Sequence, residues 1–195
     1  SCRYRFGTTG TLTESKTHQF VLEGLFGKVY KAVTSKQLMK DKHISELKIQ
    51  CLLMQYPDVE RESVKKATYK EEIDFIVEHH RRNNFICNLA LDQKGNTLIL
   101  FNYVEKHGKV LKKMLEKKAG KRSVFFIAGE TDVEEREAVR SITEDEKDSI
   151  IVASSGVLST GVNIKNLQSL IFAHPYKAKI RNLQSIGRVL RLDDK

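Results

Sequence analysis

The second half of the chain alternates short, continuously apolar runs with longer amphipathic stretches. The apolar runs predict four buried β-strands, at residues 97–101, 123–127, 149–153 and 169–173. Between the runs, apolar residues recur at spacings of three and four, which is typical of helices that bury one face. The predicted helices cover residues 104–118, 132–142 and 178–192. The first of them is expected to turn five side chains inward: Val104, His107, Leu111, Met114 and Leu115.

The first half of the chain is patterned less regularly. Residues 21–34 mix glycines with β-branched residues and predict short strands, and residues 47–56 predict a further strand. Residues 35–42 predict a short helix, and residues 69–89 predict a long one. The strongest fold signal therefore lies in the second half.

Continuous apolar strands separated by helices indicate an α/β fold, in which a mostly parallel sheet is covered by helices on both faces. In such folds, ligands bind beyond the carboxyl ends of the strands. The segments that follow the predicted strands are therefore the first places to look for a functional site.

Composition and charge narrow the class of protein. With 195 residues, of which 40% are hydrophobic, the chain can form one domain, or one domain and part of another. No apolar run reaches the roughly 18–20 residues that span a membrane. The three cysteines are far apart and form no Cys-x-x-Cys pair, so neither a zinc site nor a disulfide framework is predicted. The net charge of +9 suits a polyanionic partner such as nucleic acid, although solvated basic faces alone also produce such an excess.

The last predicted helix carries the most specific chemical pattern. Residues 184–191 read Gln-x-x-Gly-Arg-x-x-Arg, which places Gln184, Gly187, Arg188 and Arg191 on one helical face. The two guanidinium groups can converge on one anion, and the glycine allows close approach. Such donors suit the charge that develops on a γ-phosphoryl group during transfer. Two arginines alone are more often a solvated basic face, so the interpretation depends on the complete string.

Two other patterns do not support a site. Gly27-Lys28 is not a phosphate-binding loop, because Leu22 stands where that motif needs its first glycine and Val29 where it needs a hydroxyl. No Asp-Glu-x-His box exists either, so a Mg²⁺ ligand and a catalytic carboxylate are not expected in this chain. The pair His79-His80 is interpreted as an exposed helix end rather than a metal site.

Residues 184–191 resemble motif VI of superfamily 2 helicases. Residues 155–164 resemble motif V of the same family, with Asn163 in place of the usual aspartate. Asn163 can still hydrogen-bond a ribose hydroxyl, but it carries no charge.

Weaker resemblances to the same family run through the rest of the chain. Residues 96–102 resemble the motif IV strand, and Gly129 followed by Arg136 resembles the stretch between motifs IV and V. Residues 9–11, Thr-Gly-Thr, resemble motif III, which links ATP hydrolysis to domain closure. The segments between them resemble the linker of DNA-repair-type members, at 25–30 and 38–49, and the helix that opens their second domain, at 82–86.

The resemblance implies a division of the chain into three parts. Residues 1–20 would be the end of a first RecA-like domain, and residues 21–68 a connecting segment. Residues 69–195 would be the second RecA-like domain, truncated at its carboxyl end.

The resemblance also implies an ATP-dependent DNA or RNA helicase or translocase that acts in replication, recombination and repair. Its substrates would be branched DNA and RNA–DNA hybrids, in fork regression, branch migration and R-loop unwinding. The cofactors would be ATP and Mg²⁺, bound mainly by the first domain, so this chain alone would be inactive. A monomer in the cytoplasm, in contact with nucleic-acid backbone rather than sequence and with no membrane, is expected.

The resemblance assigns roles to individual residues. Arg188 and Arg191 would act as arginine fingers, with Gln184 contacting the γ-phosphate or the attacking water. Residues beside the nucleotide would be Gly161, Asn163, Gly187 and Gly10. Residues at the nucleic-acid backbone would be Thr160, Ser154, Asn102 and Tyr103. No metal ligand is expected.

Two other functions fit the same patterns. One is a different motor of the superfamily, such as a restriction-enzyme translocase subunit or a transcription-repair helicase. The other is a non-enzymatic nucleic-acid-binding α/β domain that retains remnants of motor motifs.

Overall fold

We describe the protein from a computed structural model. It describes residues 4–9, 12, 15–129, 141, 145–156, 166–175 and 186. The described residues fall into two compact units, which divide between Glu46 and Leu47. Apart from residues 141 and 186, the predicted helices at 132–142 and 178–192 lie outside the described residues.

A parallel four-stranded sheet forms the centre of the second unit. The strands are β1 (Thr97–Phe101), β2 (Ser123–Ile127), β3 (Ser149–Ser154) and β4 (Ser169–Phe172). Their spatial order is β2-β3-β1-β4, with every neighbouring pair parallel. The predicted strands and the α/β class are thereby confirmed.

One face of the sheet is covered by two helices. These are α5 (His80–Asp92) and α6 (Lys109–Glu116), and α6 continues a short π-helix (Val104–Gly108). Ile99, Phe101, Ile150 and Val152 of the strands pack against residues of both helices. The five residues predicted to face inward all contribute: His107, Leu111 and Leu115 are buried, and Val104 and Met114 pack against this core.

On the opposite face of the sheet, the two central strands are also inaccessible to solvent. Leu98, Leu100, Ile151 and Ala153 are each exposed by 1% or less and form a second apolar cluster with Ile127 and Leu167. Because side chains on both faces are buried, the strands are apolar throughout rather than alternating.

The close contact between β1 and the π-helix requires glycine. A Cβ atom on Gly108 would lie 2.5 Å from the ring of Phe101. Phe101 in turn stacks on Phe126 of β2, with ring centroids 5.4 Å apart. Gly108 therefore lets the π-helix lie directly on the aromatic part of the core.

The long helix predicted over residues 69–89 is two helices, α4 (Tyr69–Glu78) and α5, separated at His79. The Nδ1 atom of His79 accepts a hydrogen bond from the backbone N–H of Arg82 at 3.2 Å and so caps α5. Its Nε2 atom lies 3.0 Å from a carboxylate oxygen of Glu60, in α3 (Asp58–Val64). The expectation that both histidines form an exposed helix end is wrong for His79, whose side chain is only 11% exposed. His80 is exposed, as expected.

Asn96 ties together the amino ends of three strands. Its Oδ1 atom accepts hydrogen bonds from the backbone N–H and the hydroxyl of Ser149, at 2.9 and 2.8 Å. Its backbone carbonyl accepts from the backbone N–H groups of Gln168 and Ser169, at 3.0 and 3.2 Å. One turn residue before β1 thus fixes the starts of β3 and β4.

Arg122, directly before β2, is a second organising residue at this edge. Its guanidinium group donates hydrogen bonds to four backbone carbonyls and one hydroxyl, those of Ala90, Leu91, Gln93, Gly95 and Thr97, at 2.6–3.3 Å. Its Nε atom lies 3.0 Å from a carboxylate oxygen of Asp148. The Arg122 side chain is only 9% exposed, whereas that of Asp148 is 63% exposed, so the guanidinium group lies inside the protein and its carboxylate partner lies at the surface.

The described part of the first unit contains two helices, α1 (Lys16–Phe26) and α2 (Ser35–Lys40). The short helix predicted at 35–42 is confirmed. The strands predicted over 21–34 are wrong: α1 runs to Phe26 and ends at Gly27, which has a φ of 84°. The strand predicted over 47–56 is also wrong, because this segment begins the second unit in an irregular conformation. Among the described helices, none has the length and apolar character to cross a membrane.

Candidate functional site

The carboxyl ends of the four strands define the candidate site. Because the strands are parallel, the segments after them lie at one edge of the sheet, where α/β folds bind ligands. The described residues there are Asn102 and Tyr103, Ala128 and Gly129, Ser154 to Gly156, and Ala173 to Pro175. Three of the residues predicted to contact nucleic acid, Asn102, Tyr103 and Ser154, are thus at this edge.

A hydrogen bond links the ends of the two central strands. Ser154 is the register partner of Phe101, so the residues that follow both strands are adjacent. The Ser155 hydroxyl donates to the Oδ1 atom of Asn102 at 3.4 Å. Asn102 is exposed, and its side-chain amide keeps two N–H donors that this bond does not use. Ser154 is only 8% exposed, so Asn102 is the more accessible of the two.

Tyr103 is held between a cation and an imidazole. The Nζ atom of Lys106 lies 4.4 Å from the centroid of the tyrosine ring, over one face. The ring of His174, just after β4, makes a perpendicular contact at 5.4 Å. Lys106 also forms an ion pair with Asp74 of α4. One face of the tyrosine ring is therefore unavailable for stacking on a base.

Arg82 joins α5 to the end of β4. Its Nη2 atom donates a hydrogen bond to the backbone carbonyl of Ala173 at 2.8 Å. Burial, then the positive charge of Arg82 and then His174 together lower the pKa of His107 to about 3. The pKa of His174 is lowered by burial and then by the charge of Arg82. Both imidazoles are therefore mostly neutral at neutral pH. Among the described residues of this edge, the positive charges are those of Arg82 and of Lys106, which pairs with Asp74.

Much of the basic cluster between Lys106 and Arg122 is already engaged within the protein. Lys109 pairs with Glu105 at 2.5 Å, and Lys112 with Glu116 at 3.4 Å. Lys118 donates to Asn88 at 2.9 Å. These contacts favour a structural role for most of the cluster over phosphate binding.

Groups of three or more His, Cys, Asp or Glu side chains that could hold a metal ion are absent from the described part of the chain.

The predicted nucleotide-site residues lie outside the described residues. These are Gln184, Arg188 and Arg191, together with Gly161, Asn163, Gly187 and Gly10. Thr160, predicted to contact nucleic acid, also lies outside them. Their roles remain predictions from the sequence motifs.

The sequence patterns did not single out Arg82 or Asp74 as residues of this edge. Arg82 precedes the buried positions Asn83, Ile86 and Cys87 on α5, so the sequence could have predicted that Arg82 lies beside the buried face of this helix. Its partner was not, because a backbone carbonyl 91 residues away leaves no sequence signal.

Comparison with known proteins agrees with the resemblance in the motifs. The family described as helicase conserved C-terminal domain matches residues 81–193. Over 194 residues, the chain is 40% identical to the ATP-dependent DNA helicase uvsW of Enterobacteria phage T4, an alignment that covers 98% of this chain. The crystal structure of T4 UvsW matches with a TM-score of 0.64 and 37% identity over 89% of this chain. The chain spans 38% of the curated relative and 33% of the solved chain.

Proposed function

We propose that this chain, which belongs to the helicase conserved C-terminal domain family, is the second motor domain of an ATP-dependent helicase or translocase. The family match carries the proposal, because it includes both the motif V string at 155–164 and the motif VI string at 184–191. The carboxyl edge of the sheet adds support, since it brings exposed polar residues to the place where α/β folds bind ligands. ATP would bind in the cleft between this domain and a first RecA-like domain.

The two domains would divide the work of ATP hydrolysis. The first domain would supply the phosphate-binding lysine and the carboxylates for Mg²⁺, and residues 1–20 would be its end. This chain would supply Arg188, Arg191 and Gln184 for the γ-phosphate. Gly161, Asn163, Gly187 and Gly10 would lie beside the nucleotide. Closure on ATP and reopening after hydrolysis would then move the two domains stepwise along a strand.

The nucleic acid would contact this chain through its backbone. Asn102 offers exposed N–H donors, and Tyr103 offers its hydroxyl, since one face of its ring lies under Lys106. Ser154 and Thr160 would complete the contact from the motif V side. Contacts of this kind read phosphate and sugar and are independent of base sequence.

The substrates and setting follow the similarity to the phage T4 helicase. Branched DNA and RNA–DNA hybrids would be remodelled by fork regression, branch migration and R-loop unwinding. The protein would act as a monomer, in the bacterial host cytoplasm if it is encoded by a phage. Assays with a forked duplex and an R-loop, beside a linear duplex of equal length, test this choice. A full-length motor that unwinds none of the three in the presence of ATP would contradict it.

The purified 195-residue chain is expected to show no ATP hydrolysis. The reason is that neither a phosphate-binding loop nor an acidic box occurs in its sequence. Phosphate release with saturating DNA measures this, with the full-length motor as the positive control. ATP hydrolysis by the purified chain, if the Arg191→Ala substitution abolishes it, would show that the proposed distribution of catalytic residues between the two domains is wrong.

The chain is expected to bind nucleic acid weakly, without sequence preference and with strong dependence on salt. Its net charge of +9 favours phosphate contacts. Each neutralised phosphate should contribute about −0.7 for single strands, or about −0.9 for duplex, to the slope of log K against log salt. Fluorescence anisotropy with several unrelated sequences at four salt concentrations measures both properties.

A pair of tyrosine variants locates this binding on the candidate site. Tyr103→Phe removes only the hydroxyl at the carboxyl edge and should weaken binding to all sequences alike. Tyr69→Phe, at an exposed position in α4, is the matched control and should bind as the wild type does. Binding that ignores salt, or that favours one sequence by more than about tenfold, would contradict a backbone-directed site.

A further inference from the structure

Arg82 occupies the first turn of α5, but its guanidinium group is directed toward the sheet. The Nη2 atom donates to the carbonyl of Ala173 at 2.8 Å. The Nη1 atom is inaccessible to solvent and has no hydrogen-bond partner among the residues that the structure describes. The side chain as a whole is half-buried.

The charge of Arg82 is not balanced by an acidic residue in the described part of the chain. Its charge acts on Tyr56, on His107 and on His174, which come from three separate segments. Removing a guanidinium group from water without an opposite charge is unfavourable, and a hydrophobic residue of similar size would often be more stable. The arginine is therefore better explained by the geometry that it imposes than by net stabilisation.

That geometry concerns the point where the chain leaves the sheet. Ala173 is the first residue after β4, and its backbone N–H donates to the carbonyl of Leu100 at 2.9 Å. Leu100 thus fixes the amide of Ala173, and Arg82 fixes its carbonyl. The direction of the backbone is set on both sides of this residue, which precedes the motif VI string at 184–191 in the sequence.

We propose that Arg82 is a positioning residue for ATP hydrolysis: it holds the backbone where β4 ends, in the segment of the chain that continues to the arginines of the motif VI string. This inference rests on the proposed function. It differs from a direct role because Arg82 touches the backbone of Ala173 and not the nucleotide.

The test uses the full-length motor and compares four variants with the wild type. Arg82→Ala removes the donor and the charge, Arg82→Gln keeps a donor without the charge, and Arg82→Lys keeps the charge without the planar fork. Arg81→Gln, at the exposed neighbouring position, is the matched control. Steady-state ATPase with saturating DNA gives kcat and the KM for ATP, and thermal unfolding confirms that each variant is folded.

A misplacement of catalytic groups by about 1 Å can lower a rate by about a hundredfold. Arg82→Ala and Arg82→Gln should therefore lower kcat by about tenfold to a hundredfold, with the KM for ATP within about twofold of the wild type. Arg82→Lys should recover part of the loss, and Arg81→Gln should match the wild type. If Arg82→Ala does not fold, the kcat values of the Gln and Lys variants decide.

Three results would overturn the inference. Wild-type kcat in folded variants, with or without a lower unfolding temperature, would make Arg82 purely structural. A raised KM with unchanged kcat would make it a binding residue. A wild-type motor without DNA-stimulated ATPase would overturn the proposed function as well, whereas the first two results leave that function standing.

Discussion

Replacement of Arg188 or Arg191 by alanine in the full-length motor should lower kcat for ATP hydrolysis by about a thousandfold or more. The two side chains are one helical turn apart in the predicted helix, so both can point across the cleft between the domains. Their contact with the γ-phosphate would form only when the domains close. An interaction that is stronger in the transition state than in the open complex affects kcat rather than initial affinity. Steady-state ATPase with saturating DNA, beside equilibrium nucleotide binding, measures both quantities.

Conservative replacements sharpen this test. Lysine at either position should not restore activity, because it lacks the planar fork of donors. Lys113→Ala, at a basic position in α6 that is predicted to contact no nucleotide, is the control for loss of charge alone. If the arginines only form a solvated basic face, each substitution should change stability by less than about 0.5 kcal/mol and leave the kinetics unaltered. A kcat within about threefold of the wild type in folded protein would therefore refute their assignment as arginine fingers.

Replacement of Arg122 by alanine should lower the free energy of unfolding by about 3–5 kcal/mol, because several part-buried carbonyls lose their donor at about 1–3 kcal/mol each. The guanidinium group satisfies the carbonyls of Ala90 and Leu91 at the end of α5 and those of Gln93 and Gly95 in the turn that follows. Without it, buried acceptors lose their donors, and each unsatisfied group is costly. Urea denaturation of the purified chain measures the change.

Two further variants separate the contributions of Arg122. Arg122→Lys keeps the charge but provides fewer directed donors, so it should recover only a minor part of the loss. Lys121→Ala, at the exposed preceding position, should change stability by less than about 0.5 kcal/mol. An Arg122→Ala variant as stable as Lys121→Ala would show that water replaces the arginine at these carbonyls without cost.

The centre of the sheet was predictable because β1 and β3 are buried on both faces. Residues 97–101 are apolar after the first position, and they follow a turn in which Gly95 has a φ of 77°. The sequence therefore shows both the buried strand and the turn that precedes it. The same holds for β3, whose six residues are all buried. Where burial dictates the residue types on both sides of a strand, the local pattern is sufficient.

The pattern failed where apolar residues are exposed. Within residues 47–56, Ile49, Leu52 and Leu53 are 67%, 52% and 93% exposed, and the segment pairs with no strand in the described part of the chain. The stretch at 21–34, which contains β-branched residues and glycines, was wrongly predicted to form strands for a similar reason. Its first part belongs to α1, which has no buried residue that would give the sequence a helical periodicity. Apolar character alone does not distinguish a strand from an exposed segment that carries the same residues.

The candidate site was predictable in part. Topology places Asn102, Tyr103 and Ser154 at one edge, and the strands and their parallel direction were predicted from the sequence. The roles of Arg82 and Arg122 were hidden because their partners are backbone carbonyls far away in the sequence, and every residue type supplies the same carbonyl. The break at His79 was hidden for a related reason, since a histidine cap has no characteristic spacing.

The position of β1 in the middle of the sheet affects how the protein is made on the ribosome. This strand emerges first, but its two neighbours, β3 and β4, begin at Ser149 and Ser169. At about 5–20 residues per second, translation would leave the apolar β1 without a neighbouring strand for roughly 3–10 seconds. During that interval α5 and α6, whose residues pack on one face of β1 in the folded domain, have already been synthesised and can shield that face until β3 is complete.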